Sequence, residues 1–269
     1  MTVAVLAAAG RKGLWRLDGG WRRLPCPLER PSLLAACTGG LAVLDESAHL
    51  AWHRGATLRV DSGVEAMHLW RGLLLTLSGD TDCLTLWHPR SASPLMTLPA
   101  GVYPQDMCLL PDGLHAAVCG GADGTVRIVR LTDFTVTRSL RLPGQPQRIV
   151  TDGRSLYALC LMEDHDLCSL LSRIPLRMQG HEPLRLMPGL PGAVCAAEGS
   201  LWAASSETLQ RLTPAGWQSI PCECGLIRRM DCRGGRLLAS DPVMDVLWLV
   251  EGGQTKMLHE GDVQHGVFV

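Results

Sequence analysis

Residues 105–144 read QDMCLLPDG, LHAAVCGGADG, TVRIVRLTDF, TVTRSLRLPG. Four short segments are cut by turn signals: Pro111-Asp112-Gly113, Gly121-Ala122-Asp123-Gly124 and Thr132-Asp133. Val126, Ile128 and Val129 form a β-branched run with Arg127 and Arg130. Thr135, Thr137 and Ser139 alternate with Val136, Arg138 and Leu140. Short runs of this kind, bounded by Gly, Pro and Asp, specify strands rather than helices. The stretch predicts four antiparallel strands in one unit, the make-up of a propeller blade.

The same pattern runs outward in both directions. A Gly ends the first apolar segment of successive units at Gly40, Gly72, Gly113, Gly153, Gly199 and Gly235, at intervals of 32, 41, 40, 46 and 36 residues. Self-similarity at this period marks a solenoid or a propeller. Residues 64–99, 190–221 and 224–262 each divide into four segments, and the unit 145–188 is longest, with extra residues around Arg173 to Glu182. The final segment, Val263 to Val269, reads as the first strand of a unit with nothing after it. The N-terminal segments VAVLAAAG, GLWRL and WRRLP read as the three strands it lacks. Joining them closes a ring and removes two sheet edges. The expectation is an all-β chain: one seven-bladed β-propeller domain over residues 1–269, of four-stranded antiparallel blades, with six blades as the alternative.

Composition narrows the function classes. With 46% apolar residues the 269-residue chain can bury a large core, and its net charge of −1 argues against a nucleic-acid binder. No apolar run reaches the ~18 residues of a membrane-spanning helix. The apolar stretch Thr2 to Ala9 lacks a preceding positive region and is followed by Arg11 and Lys12, so it reads as a strand rather than a signal peptide. The cations are Arg except for Lys12 and Lys256, a compositional bias more than a functional signal. There are 11 Cys, most inside apolar runs, as at Cys37, Cys108, Cys119, Cys160 and Cys195. Their spacing suggests no disulfide framework, so a reduced, cytoplasmic chain is expected, with the cell surface or secretion as the alternative.

The stretches SGDTDCLTLWHP (78–89) and GGADGTVRIVRLTDFTVTRSL (120–140) resemble WD-repeat and YVTN-type propellers. LPGQPQRIVTDGRSLYAL (142–159) resembles the YVTN phase, where a Gly-x-x-Pro turn leads into the innermost strand. The resemblance covers all seven units as a pattern and is close over residues 73–160. It departs at the Gly-His and Trp-Asp pairs, which are absent. Trp15, Trp52, Trp87 and Trp248 hold the place of the repeat Trp but are followed by Arg, His, His and Leu. They are expected to pack between blades. Propellers of this kind include lyases, lactonases and quinone-dependent dehydrogenases as well as scaffolds, an analogy at the level of fold.

No catalytic signature of the Gly-x-Ser-x-Gly, His-Glu-x-x-His or phosphate-loop type occurs. Cys222 and Cys224, with Cys232 nearby, form the one cysteine cluster; two thiols at this spacing suit redox or soft-metal chemistry, but a structural zinc site takes four ligands, and the three read as structural. The turns between second and third strands gather carboxylates on one face: Asp80, Asp82, Asp123, Glu163, Asp164, Asp166, Glu207, Asp241 and Asp245. They form a candidate acidic binding face, although Asp also suits turns for local hydrogen-bonding reasons. His165, between Asp164 and Asp166, is either a metal ligand or a solvated loop residue.

A second candidate is the channel mouth, where Glu65, His68, Asp106, Arg148, Arg228 and His265 open the innermost strands and converge from different blades. A His there is a natural general base. The leading expectation is a non-enzymatic propeller without metal or cofactor that binds another protein through its loop face, no nucleic acid and no membrane, as a monomer. The alternative is a small-molecule-binding or catalytic propeller of lyase, hydrolase or dehydrogenase type that uses the channel.

Overall fold

The computed structural model describes residues 5–8, 10–37, 40–47, 50–89, 91, 93–163, 167–197, 199–223 and 225–269. The chain is an all-β propeller of four-stranded antiparallel blades. Seven such sheets stand around an axis, and each innermost strand lies against the innermost strand of the next sheet until the ring closes. Blades one to six occupy residues 31–59, 64–99, 104–141, 145–188, 191–220 and 229–260 in chain order. Blade seven joins the two ends of the chain. Its innermost strand His265–Phe268 pairs with Val5–Ala8, register Val5↔Phe268 to Ala8↔His265, and Leu14–Leu17 and Trp21–Leu24 complete it.

Burial explains the segment types. Middle strands such as Leu73–Ser78 and His115–Gly120 are covered on both faces and read as apolar runs. Outer strands such as Thr135–Arg141 face water and read as mixtures. The core is therefore divided among the seams between blades. One apolar cluster fills each seam, from Leu44, Leu74 and Trp87 between blades one and two to Val5, Leu247 and Phe268 between blades six and seven. A buried Leu contributes roughly 1.5–3 kcal/mol, so each seam is a substantial unit of stability. Trp87 and Trp248 pack in such seams as expected, and Trp87 Nε1 donates to Thr76 Oγ1 at 2.9 Å. Among the described residues no helix is long and apolar enough to cross a membrane.

Two local features place the channel residues. The innermost strands of blades one to five each carry a register shift near their start, at Pro31/Leu33, Val64/Ala66, Pro104/Asp106, Pro146/Arg148 and Pro191/Val194. A bulge re-aims the residues that follow it, and Leu33, Ala66, Asp106 and Arg148 line the channel. At the seam of blades five and six, a Cβ on Gly192 would lie 2.6 Å from Ile227 O, so only Gly permits this close approach.

The thiols correct one expectation. Cys195, on the innermost strand of blade five, is joined by a disulfide to Cys232, on that of blade six. Cys222 is also disulfide-bonded, and Cys224 lies outside the described residues. The reading of this chain as free of disulfides fails because the bonded partners are 37 residues apart and meet only when neighbouring blades pack. Cys26, Cys83, Cys108, Cys119, Cys160 and Cys168 are free.

Candidate functional site

The channel holds a cavity of about 270 Å³ with charged walls. His68, Asp106, Arg148, Arg228, Arg229, Asp231 and His265 line it, from blades two, three, four, six and seven. Side-chain bonds to backbone groups fix His68, Asp106, Arg148, Arg229, Asp231 and His265.

A side chain on one innermost strand repeatedly bonds the backbone of the next. His68 Nε2 donates to Met107 O at 2.9 Å, and Asp106 Oδ2 accepts from Ile149 N at 3.0 Å. Asp231 Oδ2 accepts from Phe268 N at 2.7 Å, and His265 Nδ1 accepts from Leu34 N at 3.0 Å. These bonds also fix tautomers. Donation from Nε2 leaves the lone pair of His68 on Nδ1. Acceptance at Nδ1 leaves the proton of His265 on Nε2.

Arg229 crosses the channel. Its Nη2 donates to Glu65 O in blade two at 2.7 Å, and its Nη1 lies 4.0 Å from Asp106 Oδ1. Arg148 is buried; its Nη1 donates to Gln147 O at 2.7 Å, while its Nε is buried without a partner. Arg148, Arg228 and Arg229 gather in the channel against the carboxyl groups of Glu65, Asp106 and Asp231, so the site concentrates charge of both signs on the axis.

Enclosure sets the protonation states. Burial, and after it Arg148, lowers Arg229 to about 10, with Asp106 and Glu65 opposing. Burial, then Arg148, lowers Arg228. Burial lowers His68 from the usual histidine value. Burial, aided by Arg229 and His68, lowers His265 to about 3. Burial raises Asp231, against the backbone N–H groups of Phe268 and Cys232. The site therefore offers two neutral imidazoles among fixed cations. One has a lone pair available as a base; the other keeps a proton to donate.

Of the channel residues expected from sequence, His68, Asp106, Arg148, Arg228 and His265 do share this cavity, and Glu65 reaches it through its carbonyl. Arg229 and Asp231 were missed. Asp106 and Arg229 occupy matching levels, pairing with Cys119 and Ser240 on their middle strands. Aligning the strands by this register would have found Arg229.

The acidic turn residues behave differently. Asp241 is fully buried, and its carboxylate accepts from the N–H groups of Gly225, Val243 and Met244. Asp123 bonds Thr125 and Arg127. Asp82 accepts from Tyr103 N at 2.7 Å, and the Asp80 carboxyl sits against Gly63. Asp245 is exposed at φ 57°, a turn conformation, and Asp164, His165 and Asp166 lie outside the described residues. Turn bonding engages the carboxylates of Asp82, Asp123 and Asp241. Among the described residues no group of three or more His, Cys, Asp or Glu is arranged to hold a metal.

No family model matches the chain, and no curated protein matches it. Solved structures do. The periplasmic gluconolactonase of Pseudomonas aeruginosa is similar over 99% of both chains, with TM-score 0.73 and 15% identity. A Bacteroides uniformis protein provisionally described as a 6-phosphogluconolactonase matches over 99% of both chains, with TM-score 0.73 and 10% identity. A Lactobacillus plantarum protein matches over the full length of both, with TM-score 0.74 and 14% identity. Identities this low establish a shared propeller fold. They also correct the leading expectation of a non-enzymatic scaffold: full-length neighbours include lactonase propellers, and histidines and arginines from several blades converge in the channel.

Proposed function

We propose that this chain is a hydrolase-type propeller that opens a cyclic ester, a lactone, in its central channel. The observation that carries the reading is the convergence of His68, Arg148, Arg229 and His265 on one cavity. The neighbouring lactonases support the choice of ester.

Lactone hydrolysis builds negative charge twice, first on the carbonyl oxygen and then on the product carboxylate. Fixed cations in an enclosed site suit both stages. His68, neutral with its lone pair on Nδ1, takes a proton from the attacking water. His265 donates from Nε2 to the developing oxyanion without losing its proton, because it does not act as an acid-base group above about pH 3. Arg148 and Arg229 balance the oxyanion and then hold the carboxylate. Asp106, pinned by Ile149 N, positions Arg229. The ring oxygen leaves as the alcohol, regaining a proton through His68.

The Cys195–Cys232 disulfide favours an oxidising compartment, as in the periplasm where the Pseudomonas gluconolactonase resides. The test is proton release from glucono-δ-lactone with the spontaneous rate subtracted. Saturable acceleration that His68→Gln abolishes supports the reading. Rates equal to buffer alone across five- and six-membered sugar lactones overturn it.

A further inference from the structure

Blade six carries Arg229, the residue that crosses the channel, on its innermost strand Arg229–Arg233. Side-chain bonds hold this blade to blade seven: Asp231 Oδ2 accepts from Phe268 N at 2.7 Å, Ser240 Oγ accepts from Gly266 N at 2.8 Å, and Trp21 Nε1 donates to Leu258 O at 3.1 Å. On the other side the arrangement differs. Among the described residues no side-chain hydrogen bond joins the innermost strands of blades five and six. The disulfide Cys195–Cys232 takes that place, with apolar packing around it. Both cysteines also line the channel cavity, on the wall that carries Arg228 and Arg229.

A covalent link in a cavity wall is within reach of a small reagent that enters the cavity. Cys232 is half-buried, whereas Cys195 is 6% exposed, so Cys232 Sγ is the sulfur open to attack. Cys232 lies three residues beyond Arg229 on the same strand. Among the described residues, losing the link leaves this strand held to blade five by apolar packing alone and loosens the base from which Arg229 reaches Glu65.

We propose that Cys195–Cys232 is a redox-controlled fastening of the channel, opened by a small dithiol, and that opening it weakens the channel's hold on an anionic ligand. This rests on the channel being the ligand site proposed above. The exchange is balanced. A dithiol thiolate attacks Cys232 Sγ, the S–S bond breaks, and Cys195 leaves as a thiolate that takes up a proton. The second thiol then displaces Cys232 from the mixed disulfide. Two electrons pass to the protein, and the dithiol becomes a cyclic disulfide.

The experiment uses the full chain, dithiothreitol and gluconate. Alkylation followed by peptide mass spectrometry reports Cys195 and Cys232 separately from Cys222. Both should be blocked before reduction and labelled after it. Calorimetry of gluconate binding should then show at least tenfold weaker affinity in the reduced protein. The Cys195→Ser, Cys232→Ser double variant should match the reduced form without added dithiol, while thermal unfolding confirms that it is folded. If that variant does not fold, the reduced wild-type chain decides. Labelling of both cysteines without reductant overturns the proposal, as does gluconate affinity equal in both states or absent from the oxidised one. Redox-dependent gluconate binding without lactone turnover would overturn the hydrolysis and leave this inference standing.

Discussion

Arg228 and Arg229 are adjacent in sequence and differ in environment. Arg228 is exposed at the channel mouth; Arg229 crosses the channel to Glu65. Sequence reading selected Arg228, because a shift of one residue moves every side chain to the other face of a strand. Arg148→Met or Arg229→Met should lower kcat about 100-fold, the scale for losing one preorganised charge partner. The pH profile of kcat/KM should be bell-shaped. Its acid limb lies below 6.5, because His68 must be neutral and burial lowers it. Its alkaline limb lies near 10, where Arg229 loses its charge. A rate that rises with acidity between pH 6 and 5 would remove His68 as the base. Asp241 shows the opposite error, since an acidic turn residue that looked functional is a buried acceptor of three N–H groups. Asp241→Ala should cost about 1–3 kcal/mol in a urea titration, the penalty for buried donors left unpaired, with lactone turnover per folded molecule unchanged.

Strands and turns were the legible level. Gly-bounded segments of alternating or β-branched residues marked the blades, and the unmatched terminal segments marked the closure, now seen as Val5–Ala8 paired with His265–Phe268. What was not legible were pairings with no local signal. Cys195 and Cys232 lie in unremarkable apolar strands and meet only through blade packing. The innermost strand of blade six lacks the register shift seen in blades one to five, so its channel-facing positions could not be read by the same phase. Removing residues 265–269 takes the innermost strand from blade seven, leaves Val5–Ala8 as an open edge, and deletes the His265–Leu34 bond. The shortened chain should melt at least ~10 °C lower, since losing a few kcal/mol in a domain of this size shifts Tm by this order. An unchanged melting curve would show that this strand does not close the ring.

At the scale of the molecule, a nearly neutral chain concentrates cations on its axis and keeps two histidines neutral beside them. That arrangement has a stability cost at acid pH. Between its lowered native value and 6.5, each histidine binds fewer protons folded than unfolded, so stability falls as pH drops below 6.5, for His265 down to about 3. The urea midpoint should be lower at pH 5 than at pH 7, and His265→Asn should reduce that difference. Placing this burden in the channel is intelligible if the channel is where the chemistry occurs. The most direct test is to follow glucono-δ-lactone opening by pH-stat with the wild-type chain and the Arg148→Met, Arg229→Met double variant side by side. The account predicts a saturable wild-type rate above the spontaneous one, reduced at least 100-fold in the variant at unchanged melting temperature. Equal rates from the two proteins would contradict it.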